Sequence, residues 1–219
     1  MPKQPQDRVR GVLFDWSGTL LNNLKPSYKG WMACFALVGH PPITLRQFRD
    51  TYCLPWQSFY RRYGISAKLI QRYHTILQTI YWQPQQHSVP LSPGAKRLIK
   101  TLKRKGIAIG ILSDDPRHEI VRQLRRHSLS RAFTFIGTSE QYRAKPSPAS
   151  VRAFLRHAKL PASEVLFIGD LTDDIAAGRA AGVITVAYLN GWHTQAMLRK
   201  AMPDYAIHQL KEIYRFIKK

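Results

Sequence analysis

The sequence predicts an α/β protein, a doubly wound parallel sheet into which an α-helical cap is inserted. Short apolar runs alternate with helical segments over most of the 219 residues, a pattern typical of parallel crossover connections. The first apolar run ends in a carboxylate, Asp15, and then breaks into the small-residue turn Ser17-Gly18-Thr19. Residues 22–90 are aromatic-rich and have helical rather than strand patterning.

Five apolar runs have the length of buried strands, and four later segments have helical spacing. The strands are predicted at 11–15, 107–113, 133–137, 165–170 and 183–189, and the helices at 95–105, 119–126, 150–158 and 174–181. In the first of these helices Leu98, Ile99 and Leu102 share one face, lysines occupy the other, and Gly106 follows. In such a sheet the ligand binds beyond the carboxyl ends of the strands.

The cap is predicted between the first strand and the rest of the sheet. Its helices are expected at 26–38, 44–52, 56–63 and 67–81. Because the insertion begins immediately after the Asp15 turn, it should lie over the site as a lid. The expected division is a core domain of residues 1–21 and 91–219 and a cap domain of residues 22–90.

The composition is that of a globular protein, with 44% hydrophobic and 11% aromatic residues. No tract is long and apolar enough to cross a bilayer, and the N-terminus lacks the apolar core of a secretion signal. A soluble cytoplasmic protein is therefore expected. Cys34 and Cys53 are too few and too far apart to indicate a disulfide framework or a metal ribbon.

The charge is strongly positive, since 34 Lys and Arg stand against 13 Asp and Glu and give a net +21. A field of that sign attracts phosphates, whether on nucleic acid or on small metabolites. The basic residues are spread along the chain, with no compact block interleaved with base-stacking aromatics. A small phosphorylated metabolite is therefore the favoured partner, nucleic acid the less favoured one, and a monomer or homodimer the expected assembly.

Polar side chains follow four of the predicted strands. They are Asp15, Ser17 and Thr19 after the first strand, Ser113 and Asp114 at the second, Lys145 beyond the third, and Asp170, Asp173 and Asp174 after the fourth. Because the carboxyl ends of parallel strands share one edge, these groups should converge. A carboxylate nucleophile, hydroxyl donors, a cation and an acidic metal site suit phosphoryl transfer to Asp15, with Mg²⁺ and the lysine offsetting negative charge.

Taken in order, these motifs resemble those of the haloacid dehalogenase superfamily, in particular phosphoglycolate-phosphatase-like hydrolases with a helical cap on a Rossmann-like core. FDWSGTL is similar to the family's DxDGT turn, and ILSD to its Ser/Thr-ended second strand. Lys145-Pro146 matches its lysine, and GDLTDDIAAGRAAG matches its GDxxxD metal loop. The resemblance covers essentially the whole chain.

The resemblance implies a role for each motif residue. Asp15 would be the nucleophile and a metal ligand, while Ser17 would occupy the catalytic acid/base position and offer its backbone carbonyl to the metal. Asp170 would bind Mg²⁺ directly and Asp174 would hold its waters. The phosphate-binding residues would be Thr19, Ser113, Asp114 and Lys145. For Asp173 a role as a metal helper is weighed against a simpler one, a negative charge at the N-terminus of a helix. For Asp114 and Asp115 the simpler alternative is that they cap the next helix.

Ser17 departs from the family pattern. In the family's phosphatases this position is an Asp that protonates the leaving alcohol and then activates water. A serine with no basic partner evident in the sequence cannot do this near neutral pH, and losing a general acid/base typically costs about 10²- to 10⁴-fold in rate. Three interpretations therefore stay open.

The first is a phosphatase that is slow or selective for good leaving groups. The second is a phosphonate hydrolase, because Asp15-Trp16-Ser17-Gly18-Thr19 resembles the Asp-Trp-Ala-Gly-Thr turn of those relatives. They use a cap lysine as a Schiff base, and the cap lysines here are Lys25, Lys29 and Lys68. The third is an altered site that binds a phosphorylated ligand without turnover. Dehalogenase relatives lack the Gly-Asp metal loop, so that activity is not favoured.

Cap residues are expected to choose the substrate, with Arg61 or Arg62 meeting a distal anionic group. A non-enzymatic alternative makes the cap a binding face for nucleic acid or a protein. That face would consist of Tyr52, Trp56, Phe59, Tyr60, Arg46, Arg49, Arg61 and Arg62. A binding module, however, has no need of Asp15, Lys145 and Asp170 together.

Overall fold

A computed structural model describes residues 9–83 and 89–217, and its centre is a parallel sheet of six strands. The strands are β1 Gly11–Phe14, β2 Ala108–Ser113, β3 Phe135–Thr138, β4 Val165–Gly169, β5 Ile184–Tyr188 and β6 Tyr205–Ile207. Their spatial order is β3-β2-β1-β4-β5-β6. The chain therefore winds outward in both directions from the β1/β4 pair, and the crevice beyond the carboxyl ends of these two strands is the topological switch point.

Ten α-helices occur in the described ranges. They are α1 Leu24–Leu37, α2 Leu45–Thr51, α3 Trp56–Arg62, α4 Ala67–Arg72, α5 His74–Trp82, α6 Ala95–Arg104, α7 Arg117–Arg126, α8 Ala149–Ala158, α9 Thr172–Ala181 and α10 Gln195–Lys200. Short 3₁₀ helices cover Ala162–Glu164 and Leu210–Phe216. The predicted α/β class is therefore confirmed.

Both faces of the sheet are buried, and the alternation along each strand explains how. In β1, Val12 and Phe14 pack into one apolar cluster, while Leu13 packs into a second cluster on the opposite face. Gly110 in β2 is required by the second cluster, because a Cβ there would lie 2.8 Å from Leu13 and from Phe154 of α8. Burial on both faces is what holds a parallel sheet together and fixes the register of the strand ends.

Helices α1 to α5 surround a separate aromatic cluster. Trp31 of α1 lies at its centre, with the ring centroids of Phe59 and Tyr60 each 5.0 Å away. The cluster also includes Leu171 and Trp192, which lie in loops that follow β4 and β5. The helices therefore rest on the carboxyl-end loops of the sheet. Their separate status as a domain of residues 22–90 stays a prediction.

Three elements differ from the sequence expectations. The strand β6 was not anticipated because it has only three residues, two of them half-buried. The single helix predicted at 67–81 is wrong, since Tyr73 leaves the helical conformation (φ −104°, ψ 11°) and separates α4 from α5. Helix α10 was also missed. In the described ranges, no helix combines the length and the apolar character that crossing a bilayer requires.

Candidate active site

Asp15 lies directly beyond β1, at the switch point of the sheet. Its backbone N–H donates to the carbonyl of Ile168 in β4 at 2.8 Å, so the strand pairing extends to the residue itself. The chain then turns tightly, because the N–H groups of Leu20 and Leu21 both donate to the carbonyl of Trp16, at 3.0 and 2.8 Å. The ladder and the turn together hold the buried Asp15 carboxyl group in place.

Gly18 makes this turn possible. Its φ of +90° lies in the left-handed region that residues with a side chain rarely adopt. A Cβ at this position would also lie 2.3 Å from Oδ2 of Asp170 and 2.4 Å from Cδ1 of Trp192. The small residue is therefore needed for the close approach of the turn to the carboxylate beyond β4.

Three buried carboxylates meet beyond β1 and β4. Oxygens of Asp15, Asp170 and Asp174 all lie within 4.8 Å of one another. Burial raises the pKa of Asp15 well above its ordinary value, although the Lys145 charge opposes that shift. Burial, together with the charge of Asp174, raises the pKa of Asp170 to about 7. Such crowding of negative charge is relieved by a proton or by a cation.

Lys145 supplies one such cation from the loop after β3. Its Nζ donates to Oδ1 of Asp15 at 2.6 Å and to Oδ1 of Asp174 at 2.7 Å, and lies 3.6 Å from Oδ2 of Asp114. Burial acts to lower the pKa of Lys145, but these three carboxylates more than offset it and the pKa is raised well above the ordinary value. The ammonium group therefore stays charged and bridges two strand ends.

Asp170 is held by donors from two other loops. The Thr19 hydroxyl donates to its Oδ1 at 2.5 Å, and the backbone N–H of Trp192 donates to its Oδ2 at 2.6 Å. The predicted phosphate contact of Thr19 is therefore corrected, because this fully buried hydroxyl is directed to a carboxylate. Thr19 positions Asp170 in the structure.

The end of β2 brings further polar groups to the same edge. The Ser113 hydroxyl accepts from the backbone N–H of Asp115 at 3.2 Å, and Oδ1 of Asp114 accepts from the backbone N–H of Lys145 at 3.3 Å. The capping alternative for the two aspartates is wrong, because the N-cap of α7 is Pro116 and it has no side-chain cap bond.

Ser17 has a carboxylate partner that the sequence did not reveal. Its hydroxyl donates to Oδ2 of Asp115 and accepts from Nδ2 of Asn23 at 3.0 Å. Burial raises the pKa of Asp115 to about 6, against the opposing effect of the hydrogen bond from Ser17. The expectation of a serine without an ionisable partner is therefore corrected.

Sequence reasoning also missed Asn23 and Trp192. The indole N–H of Trp192 donates to Oδ1 of Asn23 at 3.1 Å, which links the loop after β5 to the residue that supports Ser17. Both residues are buried. The available signal was their position, since each follows the end of a predicted strand, but a search for charged and hydroxyl groups passes over an amide and an indole.

Oδ2 of Asp15 is buried and has no hydrogen-bond partner among the described residues. An acceptor in this state is costly unless a cation or a ligand reaches it. The three clustered carboxylates offer only oxygen ligands, which are those that hard divalent cations prefer. The residues present therefore fit a divalent metal ion next to Asp15. Asp173 is outside the cluster, and burial raises its pKa to about 6.

A cleft of about 690 Å³ lies between the cap helices and the loops that follow β2 and β3. Its walls include Trp31, Trp56 and Trp82 on the cap side and Asp114 and Asp115 on the sheet side. Asp115, whose carboxyl group contacts Ser17, therefore lines a space large enough for a small ligand.

The cap residues chosen from the sequence lie elsewhere. Arg61 and Arg62 are exposed and neither lines this cleft, and Arg61 donates to the hydroxyl of Ser58 at 2.8 Å. The cap lysines that a Schiff base would need are exposed and outside the cleft as well; they are Lys25, Lys29 and Lys68. The proposed nucleic-acid face also fails, because Tyr52, Phe59 and Tyr60 are buried and cannot stack on bases.

The fold and the site together define a class of protein, the capped α/β hydrolases that carry an aspartate after the first strand and an acidic loop after the fourth. A model of the haloacid dehalogenase-like hydrolase family matches residues 12–188, and the chain belongs to this family.

Within the family, similarity extends to proteins named phosphoglycolate phosphatase. The Synechococcus elongatus protein is 26% identical over 213 residues, covering 95% of this chain and 97% of its own. The Pseudomonas savastanoi protein is 26% identical over 211 residues, covering 92% of this chain and 77% of its own. The fold is shared with a haloacid dehalogenase-like hydrolase of Streptococcus pneumoniae, with a TM-score of 0.81 at 20% identity, over 95% of this chain and 98% of the other.

Proposed function

We propose that this chain is a Mg²⁺-dependent phosphatase that hydrolyses a small phosphomonoester through an aspartyl-phosphate on Asp15. The observation that carries the proposal is the state of the Asp15 carboxyl group. One oxygen is held by Lys145, while the other is buried without a donor among the described residues, next to Asp170 and Asp174. A held carboxylate with one uncommitted oxygen is what in-line attack on phosphorus requires.

The metal would be held by Asp15, Asp170, Asp174 and the backbone carbonyl of Ser17. Bound Mg²⁺ would supply positive charge that offsets the negative charge of the nucleophile and of the phosphoryl group. The Lys145 ammonium, already between two carboxylates, would hold a phosphoryl oxygen and, together with the charge of the metal, favour the ionised form of Asp15. The Ser113 hydroxyl, at the end of β2, would bind another phosphoryl oxygen.

The reaction would take place in two steps. An oxygen of Asp15 would form a bond to phosphorus as the phosphorus–ester oxygen bond breaks, and the departing oxygen would take a proton from the carboxyl group of Asp115. Water would then give a proton back to Asp115 as it attacks the aspartyl-phosphate, which releases phosphate and restores Asp15. The relatives named phosphoglycolate phosphatase support hydrolysis of a phosphate ester. The exposed positions of Lys25, Lys29 and Lys68 disfavour the Schiff-base chemistry of a phosphonate hydrolase.

The test is hydrolysis of p-nitrophenyl phosphate by the purified chain. We expect turnover with Mg²⁺, none after EDTA treatment, and recovery when Mg²⁺ is restored. Rapid acid quench should leave the mass of one phosphoryl group on the peptide that contains Asp15. Asp15→Asn should fold normally and lose both signals, whereas Asp50→Asn, an exposed cap carboxylate, should keep them. Turnover that persists in Asp15→Asn, or that ignores EDTA, would refute the proposal.

A further inference from the structure

The cleft carries charge of the opposite sign to the rest of the chain. Over the whole chain Lys and Arg outnumber Asp and Glu by 34 to 13. Among the eighteen described residues that line the cleft, four are acidic and none is Lys or Arg. The acidic residues are Asp114, Asp115, Glu119 and Glu140. A concave surface lined by one sign of charge selects a ligand of the other sign.

Two of these carboxylates accept hydrogen bonds but have no cationic partner among the described residues. Asp114 lies 3.6 Å from Lys145, and Glu119 forms an ion pair with Arg122. For Asp115 and Glu140 no ion pair is found in the part of the chain that the structure describes. The cleft therefore has a net negative wall on the sheet side.

The cap side of the cleft is aromatic. Six of the eighteen lining residues are Trp or Tyr: Trp31, Tyr52, Trp56, Tyr60, Tyr81 and Trp82. Trp31, Tyr52, Tyr60 and Trp82 are buried, so the half-buried Trp56 and Tyr81 are the rings that present surface to the cleft. The faces of such rings attract cations, and aromatic cages are a common way to bind quaternary ammonium groups. The buried indole N–H of Trp31 has no acceptor among the described residues, which leaves a donor for an oxygen of a ligand.

From this juxtaposition we infer that the substrate's leaving group is an alcohol that carries a quaternary ammonium or a protonated amine. The inference rests on the proposed phosphatase function. The phosphate would enter at Asp15 and Lys145, while the cationic end would lie between the aromatic cap wall and the carboxylate of Glu140. An acidic leaving group such as glycolate would meet two carboxylates without a described cationic partner and no described Lys or Arg in this cleft.

The first experiment compares substrates with the wild-type chain and Mg²⁺. Choline phosphate and ethanolamine phosphate are the cationic probes, phosphoglycolate the anionic probe, and p-nitrophenyl phosphate the uncharged reference. We expect kcat/KM for choline phosphate to exceed that for phosphoglycolate by at least about tenfold, since an aromatic site for a cation contributes about this much. Phosphoglycolate equal to or better than choline phosphate would overturn the inference while leaving phosphatase activity intact.

The second experiment measures binding without turnover. Tetramethylammonium should bind the metal-free chain in a calorimetric titration and compete with p-nitrophenyl phosphate, whereas glycolate should do neither. Trp56→Leu and Glu140→Gln should each weaken tetramethylammonium binding by about 3- to 30-fold. Glu164→Gln, whose carboxylate pairs with Arg10 away from the cleft, is the matched control and should bind as the wild type does.

The two proposals fail in different ways. If none of the four esters is hydrolysed with Mg²⁺, the proposed phosphatase function is refuted. Binding of tetramethylammonium would then still test the cation site. If p-nitrophenyl phosphate is hydrolysed but tetramethylammonium does not bind, only the cation site is refuted. Binding that is unchanged in both Trp56→Leu and Glu140→Gln would place the cation elsewhere and would also overturn the inference.

Discussion

The hydroxyl of Ser17 donates a hydrogen bond to the carboxylate of Asp115, a residue 98 positions further along the chain. Ser17 stands where the family's phosphatases carry an acidic residue, and Asp115 brings a carboxyl group to that place from the end of β2. Burial raises the pKa of Asp115 to about 6, so this carboxyl group can both take up and release a proton near neutral pH. The contact suggests that the acid/base group has moved to a different strand end.

This relationship predicts opposite effects of one substitution in two backgrounds. In the wild type, Asp115→Asn should lower turnover of an alkyl phosphate by about 10²-fold, because the carboxyl next to Ser17 is lost. Ser17→Asp places two carboxylates in contact, so the gain in turnover from this substitution alone should be small. Adding Asp115→Asn to Ser17→Asp should then raise turnover at least about tenfold over Ser17→Asp alone. Steady-state kinetics of the four proteins measure this cycle.

Equal effects of Asp115→Asn in both backgrounds would contradict the assignment. An aryl phosphate serves as the control substrate, because its leaving group needs less protonation and Asp115→Asn should affect it less. If Ser17→Asp with Asp115→Asn gains nothing on either substrate, the site has departed from phosphatase chemistry beyond this one position.

Replacement of Lys145 should affect both stability and activity. Lys145→Met removes the cation that bridges Asp15 and Asp174 and leaves their charges buried. The expected loss is about 3–5 kcal/mol in the free energy of unfolding, with at least about 10²-fold loss of kcat. Urea unfolding and p-nitrophenyl phosphate kinetics measure the two effects. Lys96→Met on the exposed face of α6 is the control, and a Lys145→Met protein as stable as this control would contradict the prediction.

Stability without metal should fall as the pH rises from 5 to 8. The pKa of Asp170 is about 7 in the folded chain and near 4 in an unfolded one. Between these values the folded state retains a proton that the unfolded state has lost, so rising pH disfavours folding, by about 1.4 kcal/mol for each unit of pKa shift. Mg²⁺ binds the ionised carboxylates and should therefore raise Tm more at pH 8 than at pH 5.

Melting curves in EDTA and in Mg²⁺ at several pH values test this. Asp170→Asn is the comparison, because it removes one titrating group while other acid effects, including self-repulsion of the positive chain, remain. The wild type should lose more stability between pH 5 and pH 8 than Asp170→Asn does. Parallel curves for the two proteins would show that Asp170 does not titrate as described.

The sequence was sufficient where a local pattern decides the structure. Five strands, their parallel arrangement and the convergence of Asp15, Lys145 and Asp170 could be predicted, because apolar runs specify buried strands and parallel strands end at one edge. The partners of these residues could not. Thr19 donates to Asp170 rather than facing a ligand, and this choice depends on a close approach that only the folded chain creates.

The cap was harder to predict than the core for a physical reason. Its helices are short, and helix limits such as the break at Tyr73 depend on tertiary packing rather than on propensity. Arg61 and Arg62 were attractive as anion ligands by residue type alone, but both lie on the exposed side of the cap. Which face of a short helix meets the cleft is decided by the aromatic cluster around Trp31.

Arg49 ties the cap to the loop after β5 and, through that loop, to Asp170. Its guanidinium donates to the carbonyls of Trp192 and His193 at 3.0 and 3.1 Å, and the Trp192 N–H in turn donates to Asp170. Arg49→Ala should therefore lower stability by about 1.5–3 kcal/mol and weaken the apparent Mg²⁺ affinity about tenfold or more. Arg46→Ala is the matched control one turn away on α2, because that side chain is 88% exposed. Unfolding curves and Mg²⁺ titrations of activity measure the two quantities. If Arg49→Ala and Arg46→Ala behave alike in both, the contact of the cap with the loop that holds Asp170 contributes neither to stability nor to Mg²⁺ affinity.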